Sequence, residues 1–136
     1  MEGEREMSKF PNDLRYVETH EWVRLEGGVA TVGLSGFAVE QLTDLIVIDL
    51  AKAGTKVKAG GRLGEVESVK SVNDIYAPIA GEVLEVNAAV VADLSKLSSD
   101  PYGSGWLVKI KPDNVADVDA LMSAEAYEKA VEAADH

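Results

Sequence analysis

The sequence predicts a small, mainly β domain, either a sandwich or a flattened barrel, with a few short helices. Many short β-prone runs follow one another in its middle region, and Gly and Pro residues separate them. No helical segment in that region is long enough to connect two parallel strands. Helical spacing of apolar residues becomes clear only after residue 113.

The N-terminal part of the chain predicts a strand pair. The runs HEWVRL and VATVGL are joined by Glu26-Gly27-Gly28, which is typical of a β-hairpin. Ser35 can then cap a short helix over GFAVEQLTD. Residues 45–50, LIVIDL, are almost continuously apolar, so they predict a strand that is buried on both faces.

The rest of the chain predicts five more strands and two helices. The strands lie in the runs TKVKA, RLGEVESV, SVNDIYA, GEVLEVN and GWLVKIK. The helices follow Asp113-Asn114 and Ser123, which can cap them. Their apolar residues recur at helical spacing: Val115, Val118, Leu121 and Met122 in the first, and Tyr127, Ala130, Val131 and Ala134 in the second.

The length and the ends of the chain indicate one domain. A chain of 136 residues with 46% hydrophobic residues can bury one core. We expect a disordered tail over residues 1–8 and a single domain over residues 9–136. The N-terminal MEGEREMSKF has no apolar run, so it predicts neither a secretory signal nor a membrane span. The expected location is cytoplasmic, or mitochondrial only if a presequence has been removed.

The charge and the missing motifs exclude several classes of function. The net charge is −11, from 24 acidic and 13 basic residues. The sequence has no basic stripe of the kind that binds nucleic acid or an anionic membrane, so we do not expect either partner. An acidic surface suits partners with basic docking faces. The chain has no cysteine, no HExxH motif and no GxSxG motif. We therefore expect neither an active site of its own nor a metal site.

One lysine needs a closer explanation. Lys70 lies in EVESVKSVNDIYAP, residues 65–78, away from other basic residues. A lysine at a hairpin tip most often only protects or solvates the strand edge. This segment, however, resembles the attachment site of the lipoyl-bearing H proteins of the glycine cleavage system. In that family an acid-Ser-Val-Lys run lies at an exposed turn, and here the run is Glu67-Ser68-Val69-Lys70.

The resemblance covers about residues 14 to 130, with its motifs in family order. They are Tyr16 with HEWV, VATVGL, LIVIDL, AGEVLEVN, SSDPYGSGW and the Ala-Tyr-Glu of residues 126–128. Biotin carriers have methionine on both sides of the lysine, and the lipoyl domains of 2-oxoacid dehydrogenases typically have an acid directly before it, so both match less well. The resemblance implies a barrel-sandwich hybrid of two antiparallel sheets. Its lipoyl-binding core would span about residues 30–112, followed by C-terminal helices over residues 113–134.

The resemblance also implies a function. Lipoate would be attached to Lys70 as an amide, by a lipoate ligase or an octanoyltransferase. The lipoyl arm would accept the aminomethyl group of glycine at a pyridoxal-phosphate glycine decarboxylase and deliver it to a tetrahydrofolate-dependent aminomethyltransferase. A dihydrolipoamide dehydrogenase would then reoxidise the arm. Such a carrier is not itself catalytic, and we expect a monomer.

Further residues receive roles by the same resemblance. Glu21 and Asp74 would hold the loaded, cationic arm, with Thr19 as a hydroxyl neighbour. Glu67, together with Glu65, would be recognised by the lipoylating enzyme. Two departures from the family pattern are Gln41, where many members carry a histidine, and Thr43-Asp44, which replaces the more usual glycine-acid pair.

Two other functions stay open at this point. An H-like protein could donate lipoyl groups to the domains of other enzymes, and it would need the same hairpin. Alternatively, the chain could be a structural β domain whose lysine is never modified.

Overall fold

A computed structural model of the chain describes residues 11–42 and 44–134. In chain order its strands and helices are β1 (Arg15–Tyr16), β2 (Glu21–Glu26), β3 (Val29–Leu34), α1 (Gly36–Gln41), β4 (Leu45–Leu50), β5 (Lys56–Val57), β6 (Arg62–Ser68), β7 (Val72–Tyr76), β8 (Gly81–Val86), α2 (Ala88–Ala92), α3 (Ser95–Ser99), β9 (Val108–Pro112), α4 (Ala116–Asp119) and α5 (Ala124–Ala134). The predicted disordered tail, residues 1–8, lies outside the described residues, as does Thr43.

The strands form two antiparallel sheets, which confirms the predicted fold class. The larger sheet has the order β1-β2-β3-β9-β8-β5, and the smaller has the order β4-β6-β7. The hairpin between β2 and β3 turns at Gly27 and Gly28, whose φ angles of 58° and 80° favour glycine. No helix within residues 11–42 and 44–134 is long and apolar enough to cross a membrane.

The interpretation of LIVIDL as a doubly buried strand is wrong. Only Ile48 of β4 is fully buried, whereas Ile46 and Val47 are 54% and 46% exposed. The reason is that the smaller sheet covers the core with one face only, so Val47 and Asp49 lie on its outer face, and Ile46 lies at a register irregularity near the start of the strand. One face of β4 contributes to the core, and the other face is open to solvent.

The first helix is capped as predicted but is shorter. The hydroxyl of Ser35 accepts a hydrogen bond from the backbone N–H of Ala38, at 3.2 Å. The helix ends at Gln41 because Leu42 is already extended, and Asp44 follows with a φ of 56°. The predicted extension over the whole of GFAVEQLTD is therefore wrong.

Two C-terminal helices are present, but the first is shorter than predicted. Helix α4 spans only Ala116–Asp119 with Val115 as its N-cap, so Leu121 and Met122 lie beyond it, and Met122 instead bridges to Tyr16. Asn114 accepts from the N–H of Ala116 at 3.0 Å, and Ser123 accepts from that of Ala126 at 3.2 Å. The sequence did not predict α2 and α3. Each has only five residues, too few for a helical period to appear in the sequence.

The core consists of two hydrophobic clusters. The larger lies between the two sheets. The smaller joins α5 to the start of the larger sheet through Leu14, Tyr16, Trp22, Ala124, Tyr127 and Val131. The rings of Tyr16 and Tyr127 stack with centroids 4.7 Å apart. A Cβ on Gly33 would lie 2.5 Å from the Trp22 ring, so glycine is required there for this packing. Because Trp22 belongs to the smaller cluster, this cluster fixes the position of β2 directly beside Glu21.

Candidate functional site

Lys70 lies at the tip of the hairpin that joins β6 to β7. Only Val69, Lys70 and Ser71 separate the two strands, and all three are exposed. Val69 is 67% exposed, so an apolar side chain stands next to the lysine in solvent. An enzyme can therefore reach the amine of Lys70 from outside.

Hydrogen bonds fix the backbone of this tip. The N–H of Ser68 donates to the carbonyl of Ser71 at 2.8 Å, and the N–H of Ser71 donates to the Ser68 hydroxyl at 3.3 Å. The N–H of Val69 donates to the carbonyl of Asp44 at 3.1 Å, which ties the tip to the segment before β4. The lysine is thus flexible in its side chain and constrained in its backbone.

A cleft of about 180 Å³ lies between the hairpin, the start of β2 and helix α1. It is lined by apolar side chains and by several polar ones: Thr19, His20, Glu21, Leu34, Phe37, Ala38, Gln41, Leu42, Val66, Asn73, Asp74 and Ile75. Three residues assigned to arm docking, Thr19, Glu21 and Asp74, are therefore neighbours around one cleft. Gln41, the position where many members of the family carry a histidine, is the last residue of α1 and lines the cleft as part of that helix.

Glu21 forms the floor of the cleft. Its side chain is fully buried, although it belongs to the first residue of a strand. One carboxylate oxygen accepts a hydrogen bond from the hydroxyl of Thr19. The other accepts from the backbone N–H of Tyr76 in β7, at 3.1 Å. This second bond connects the larger sheet to the smaller sheet, close to the lysine hairpin.

Burial dominates the electrostatics of Glu21. The loss of hydration raises the pKa of its carboxyl from 4.5 to about 7, even though the bonds from Thr19 and Tyr76 favour the ionised form. A carboxylate has about four acceptor positions, and the donors bonded here, the Thr19 hydroxyl and the backbone N–H groups of Tyr76 and Glu21, are neutral and do not fill them all. A cation that reached this floor would therefore find free acceptor capacity and a partner in a poorly hydrated place.

A hydrogen-bonded group of three side chains, which begins at His20 in the cleft wall, supports the backbone next to Glu21. Nδ1 of His20 lies 2.6 Å from the Tyr127 hydroxyl, which in turn lies 2.7 Å from the Ser35 hydroxyl. His20 has a φ of 81°, an unusual conformation for a residue with a side chain. Its carbonyl accepts from the N–H of Ser35 at 2.8 Å. Helix α5 thus helps to hold both the residue before Glu21 and the cap of α1.

Asp74 has a different environment. It is exposed, and its carboxylate accepts a hydrogen bond from Nε of Arg62 at 3.2 Å. The Tyr76 hydroxyl approaches the same carboxylate at 3.5 Å. Arg62 also forms an ion pair with Glu65. Asp74 therefore lines the cleft while its charge is engaged with a cation of its own sheet.

The two acids before the lysine lie on the solvent-facing side of the smaller sheet. Glu67 is opposite Val47 on one side and Val72 on the other, and Glu65 is opposite Asp49 and Asp74. Neither Glu65 nor Glu67 lines the cleft. Their position beside the hairpin tip leaves them accessible to a protein that binds Lys70.

Sequence reasoning missed several residues that shape this site. Arg62, His20 and Tyr127 were not assigned roles in it. The Ala-Tyr-Glu motif pointed to the position of Tyr127 but not to its partners. Within the part of the chain that the structure describes, no group of three or more His, Asp or Glu side chains could hold a metal ion.

The comparisons with known proteins agree in one family. The sequence model of the glycine cleavage H-protein matches residues 14–134. A glycine cleavage system H protein of Synechococcus sp. (strain JA-3-3Ab) is 47% identical over 124 residues, which are 91% of this chain and 96% of the relative. One of Bacteroides fragilis is 45% identical and covers 91% of this chain and 98% of its own length.

A solved structure supports the same relationship. The crystal structure of a glycine cleavage system H protein from Mycobacterium marinum superposes with a TM-score of 0.82 at 39% identity, covering 90% of this chain and 98% of that one. The family match and the shared two-sheet fold extend over nearly all of the described residues. This chain belongs to the glycine cleavage H-protein family.

Proposed function

We propose that this protein carries lipoate as an amide on Lys70 and moves the aminomethyl group of glycine between enzymes. As a member of its family it is a carrier component of the glycine cleavage system. Its proposed partners are the pyridoxal-phosphate glycine decarboxylase, the tetrahydrofolate-dependent aminomethyltransferase and dihydrolipoamide dehydrogenase. A lipoate ligase or an octanoyltransferase would attach the cofactor. The observation that carries the proposal is an exposed lysine on a fixed hairpin tip, next to a cleft with a buried carboxylate.

The residues around Lys70 fit a lipoyl arm. Asn73 and Asp74, three and four positions after the lysine, line the cleft, so the cleft begins close to the attachment point. Leu34, Phe37 and Ile75 give it apolar walls suited to the hydrocarbon part of the arm. When attached, lipoate supplies a dithiolane for thiol–disulfide chemistry, which a chain without cysteine cannot supply itself.

Glu21 is the proposed holder of the cationic aminomethyl cargo. An ammonium at hydrogen-bond distance from a carboxylate gains on the order of a few kcal/mol at intermediate dielectric. The cation would also favour ionisation of Glu21, because an opposite charge lowers the pKa of a carboxyl. Thr19 would keep one carboxylate oxygen oriented while the remaining acceptor positions receive the cargo. Asp74 would add a second negative charge at the exposed rim.

Glu67 and Glu65 are proposed to guide the lipoylating enzyme. Both precede the hairpin tip and face solvent on the outer side of the smaller sheet. Carboxylates in this position would orient the tip against a basic docking face of the enzyme. Exposed Val69 and Val72 add an apolar component on either side of Lys70.

Intact mass after lipoylation tests the proposal directly. The parent chain, incubated with lipoate ligase, lipoate and ATP, should gain the mass of one lipoyl group. Lys70→Arg should gain none, and Lys58→Arg, a change at another exposed lysine, should behave as the parent. An unmodified parent chain, or modification of the Lys70→Arg variant, would contradict the proposed attachment.

Reconstitution then separates the carrier from a lipoyl donor. The lipoylated parent should support release of carbon dioxide from glycine by the decarboxylase, and Lys70→Arg should not. Lipoylation without any such activity would instead favour transfer of lipoyl groups to other proteins.

A further inference from the structure

Arg62 is in contact with two acidic side chains beside the cleft. Its Nε donates to Asp74 at 3.2 Å, and its terminal nitrogen pairs with Glu65. All three groups are partly exposed, with side-chain exposures of 54% for Arg62, 36% for Glu65 and 44% for Asp74. The guanidinium can therefore form and break these contacts without exposing any core residue.

The register of the smaller sheet explains this contact. Glu65 lies opposite both Asp49 and Asp74, so three carboxylates form one row across the sheet. A register shift between Arg62 and Gly64 places Arg62 opposite Tyr76, on the same face as that row. Arg62 forms ion pairs with two of these three carboxylates, Glu65 and Asp74.

We propose that Arg62 determines how tightly the protein holds its cationic cargo, because it competes with the cargo for the carboxylate of Asp74. The inference rests on the proposed function. When the cargo is absent, Asp74 is satisfied by Arg62. When an ammonium enters the cleft, Asp74 can contact it only by releasing Arg62 or by sharing its oxygens with it.

The competition should weaken binding to a limited degree. A guanidinium and an ammonium are both cations, so they repel each other, and both are donors without acceptor capacity, so they compete for the same oxygens. Glu65 provides Arg62 with an alternative partner, so release of Asp74 does not leave the guanidinium unpaired. The contact is exposed and screened by salt, and we therefore expect an effect of about two- to fivefold on retention of the cargo.

A simpler role for Arg62 makes a different prediction. The row of acids repels itself, and like charges directly opposite one another destabilise a sheet. If Arg62 served only to offset that repulsion, its removal would change stability without any effect specific to the cargo. Measurements of the Arg62 guanidinium and of cargo release therefore distinguish the two roles, whereas stability alone does not.

The NMR signal of the Arg62 Nε–H reports the first step. In the lipoylated, unloaded protein, this signal should differ between the parent and Asp74→Asn, because Nε donates to Asp74. Loading with the aminomethyl group from glycine should move the parent signal towards its position in Asp74→Asn. An Arg62 signal that does not respond to loading would overturn the proposal.

The rate at which the isolated loaded protein releases its cargo, measured as ammonia and formaldehyde, tests the second step. Arg62→Gln should release it about two- to fivefold more slowly than the parent. The difference should vanish in the Asp74→Asn background. Lys56→Gln makes the same charge change on exposed β5 of the other sheet, and should leave the rate unchanged.

The two proposals fail in different ways. An equal rate for Arg62→Gln and the parent, or an effect that persists in the Asp74→Asn background, would overturn the role of Arg62 while the carrier still loads. A chain that cannot be lipoylated on Lys70 would instead contradict the proposed function itself.

Discussion

The two carboxylates assigned to the cationic arm lie in opposite environments. Glu21 is fully buried on the floor of the cleft, and its hydrogen-bond donors are neutral: the Thr19 hydroxyl and the backbone N–H groups of Tyr76 and of Glu21 itself. Asp74 is exposed at the rim and is bonded by the guanidinium of Arg62. Both residues can carry one negative charge, but ionisation costs more free energy at buried Glu21 than at exposed Asp74.

This difference indicates a division of labour. The charge on Glu21 is costly in the unloaded protein because water is excluded, so an arriving cation has much to gain there. The charge on Asp74 is already hydrated and paired, so a cation gains little by approaching it. We infer that Glu21 supplies most of the holding energy, while Asp74 and Arg62 adjust it.

Glu21→Gln should produce the largest effect, and the effect should depend on pH. The raised pKa of Glu21 means that the folded state favours the protonated carboxyl. The stability that this group contributes is therefore complete below its ordinary pKa of 4.5 and is lost as the pH rises through about 7. Relative to the parent, Glu21→Gln should gain about 3 kcal/mol of unfolding free energy between those limits. Urea unfolding across this pH range measures the difference.

Thr19→Val provides the check on this assignment. The Thr19 hydroxyl stabilises the ionised form, so its removal should raise the pKa of Glu21 further and move the transition to higher pH. A constant difference between Glu21→Gln and the parent at all pH values would mean that Glu21 is not desolvated. At pH values above 7 the loaded Glu21→Gln protein should also lose its cargo faster, with lipoylation intact.

Tyr127→Phe should have the next largest effect, on the support of the backbone next to Glu21. The change removes a hydroxyl that is hydrogen-bonded to both His20 and Ser35, at 2.6 Å and 2.7 Å. Leaving the buried Ser35 hydroxyl and the half-buried His20 ring without this partner costs about 1–3 kcal/mol of stability, measurable by urea unfolding. Tyr76→Phe is the matched control, since the Tyr76 hydroxyl makes only a 3.5 Å contact with exposed Asp74. Equal stabilities of the two variants would show that this hydrogen-bonded group is unimportant.

Much of the fold was predictable because its signals are local. Glycine and proline separate the strands, and Ser35 and Ser123 bond the first turns of α1 and α5 as the predicted caps should. The position of β4 was not predictable in this way. A continuous apolar run is typical of a strand covered on both faces, and only the packing of the smaller sheet reveals that one face of β4 is open to solvent.

The motifs of the sequence predicted some of the residues that lie together in the cleft, whereas their roles stay predictions. Glu21, Thr19 and Asp74 were expected around one arm, and they line one cleft. Their partners were not predictable, because these depend on long-range geometry. His20 and Tyr127 are 107 positions apart in the chain, and Arg62 reaches Asp74 through a register shift that no residue pattern indicates. The burial and the hydrogen-bond partners that distinguish the two carboxylates become known only from the folded structure.

Asp74→Asn should have the smallest effect, and salt sharpens the comparison with Glu21. An exposed charge is screened when the Debye length falls from about 10 Å at 0.1 M salt to about 3 Å at 1 M, whereas a buried charge is screened much less. At low salt the loaded Asp74→Asn protein should lose its cargo about twofold faster than the parent, and at 1 M salt the two rates should converge. The faster loss from Glu21→Gln should persist at both concentrations, because Glu21 has no contact with bulk solvent. If salt removed the effect of Glu21→Gln as well, the cleft would have to be open to water in the loaded state, and burial would no longer distinguish the two carboxylates.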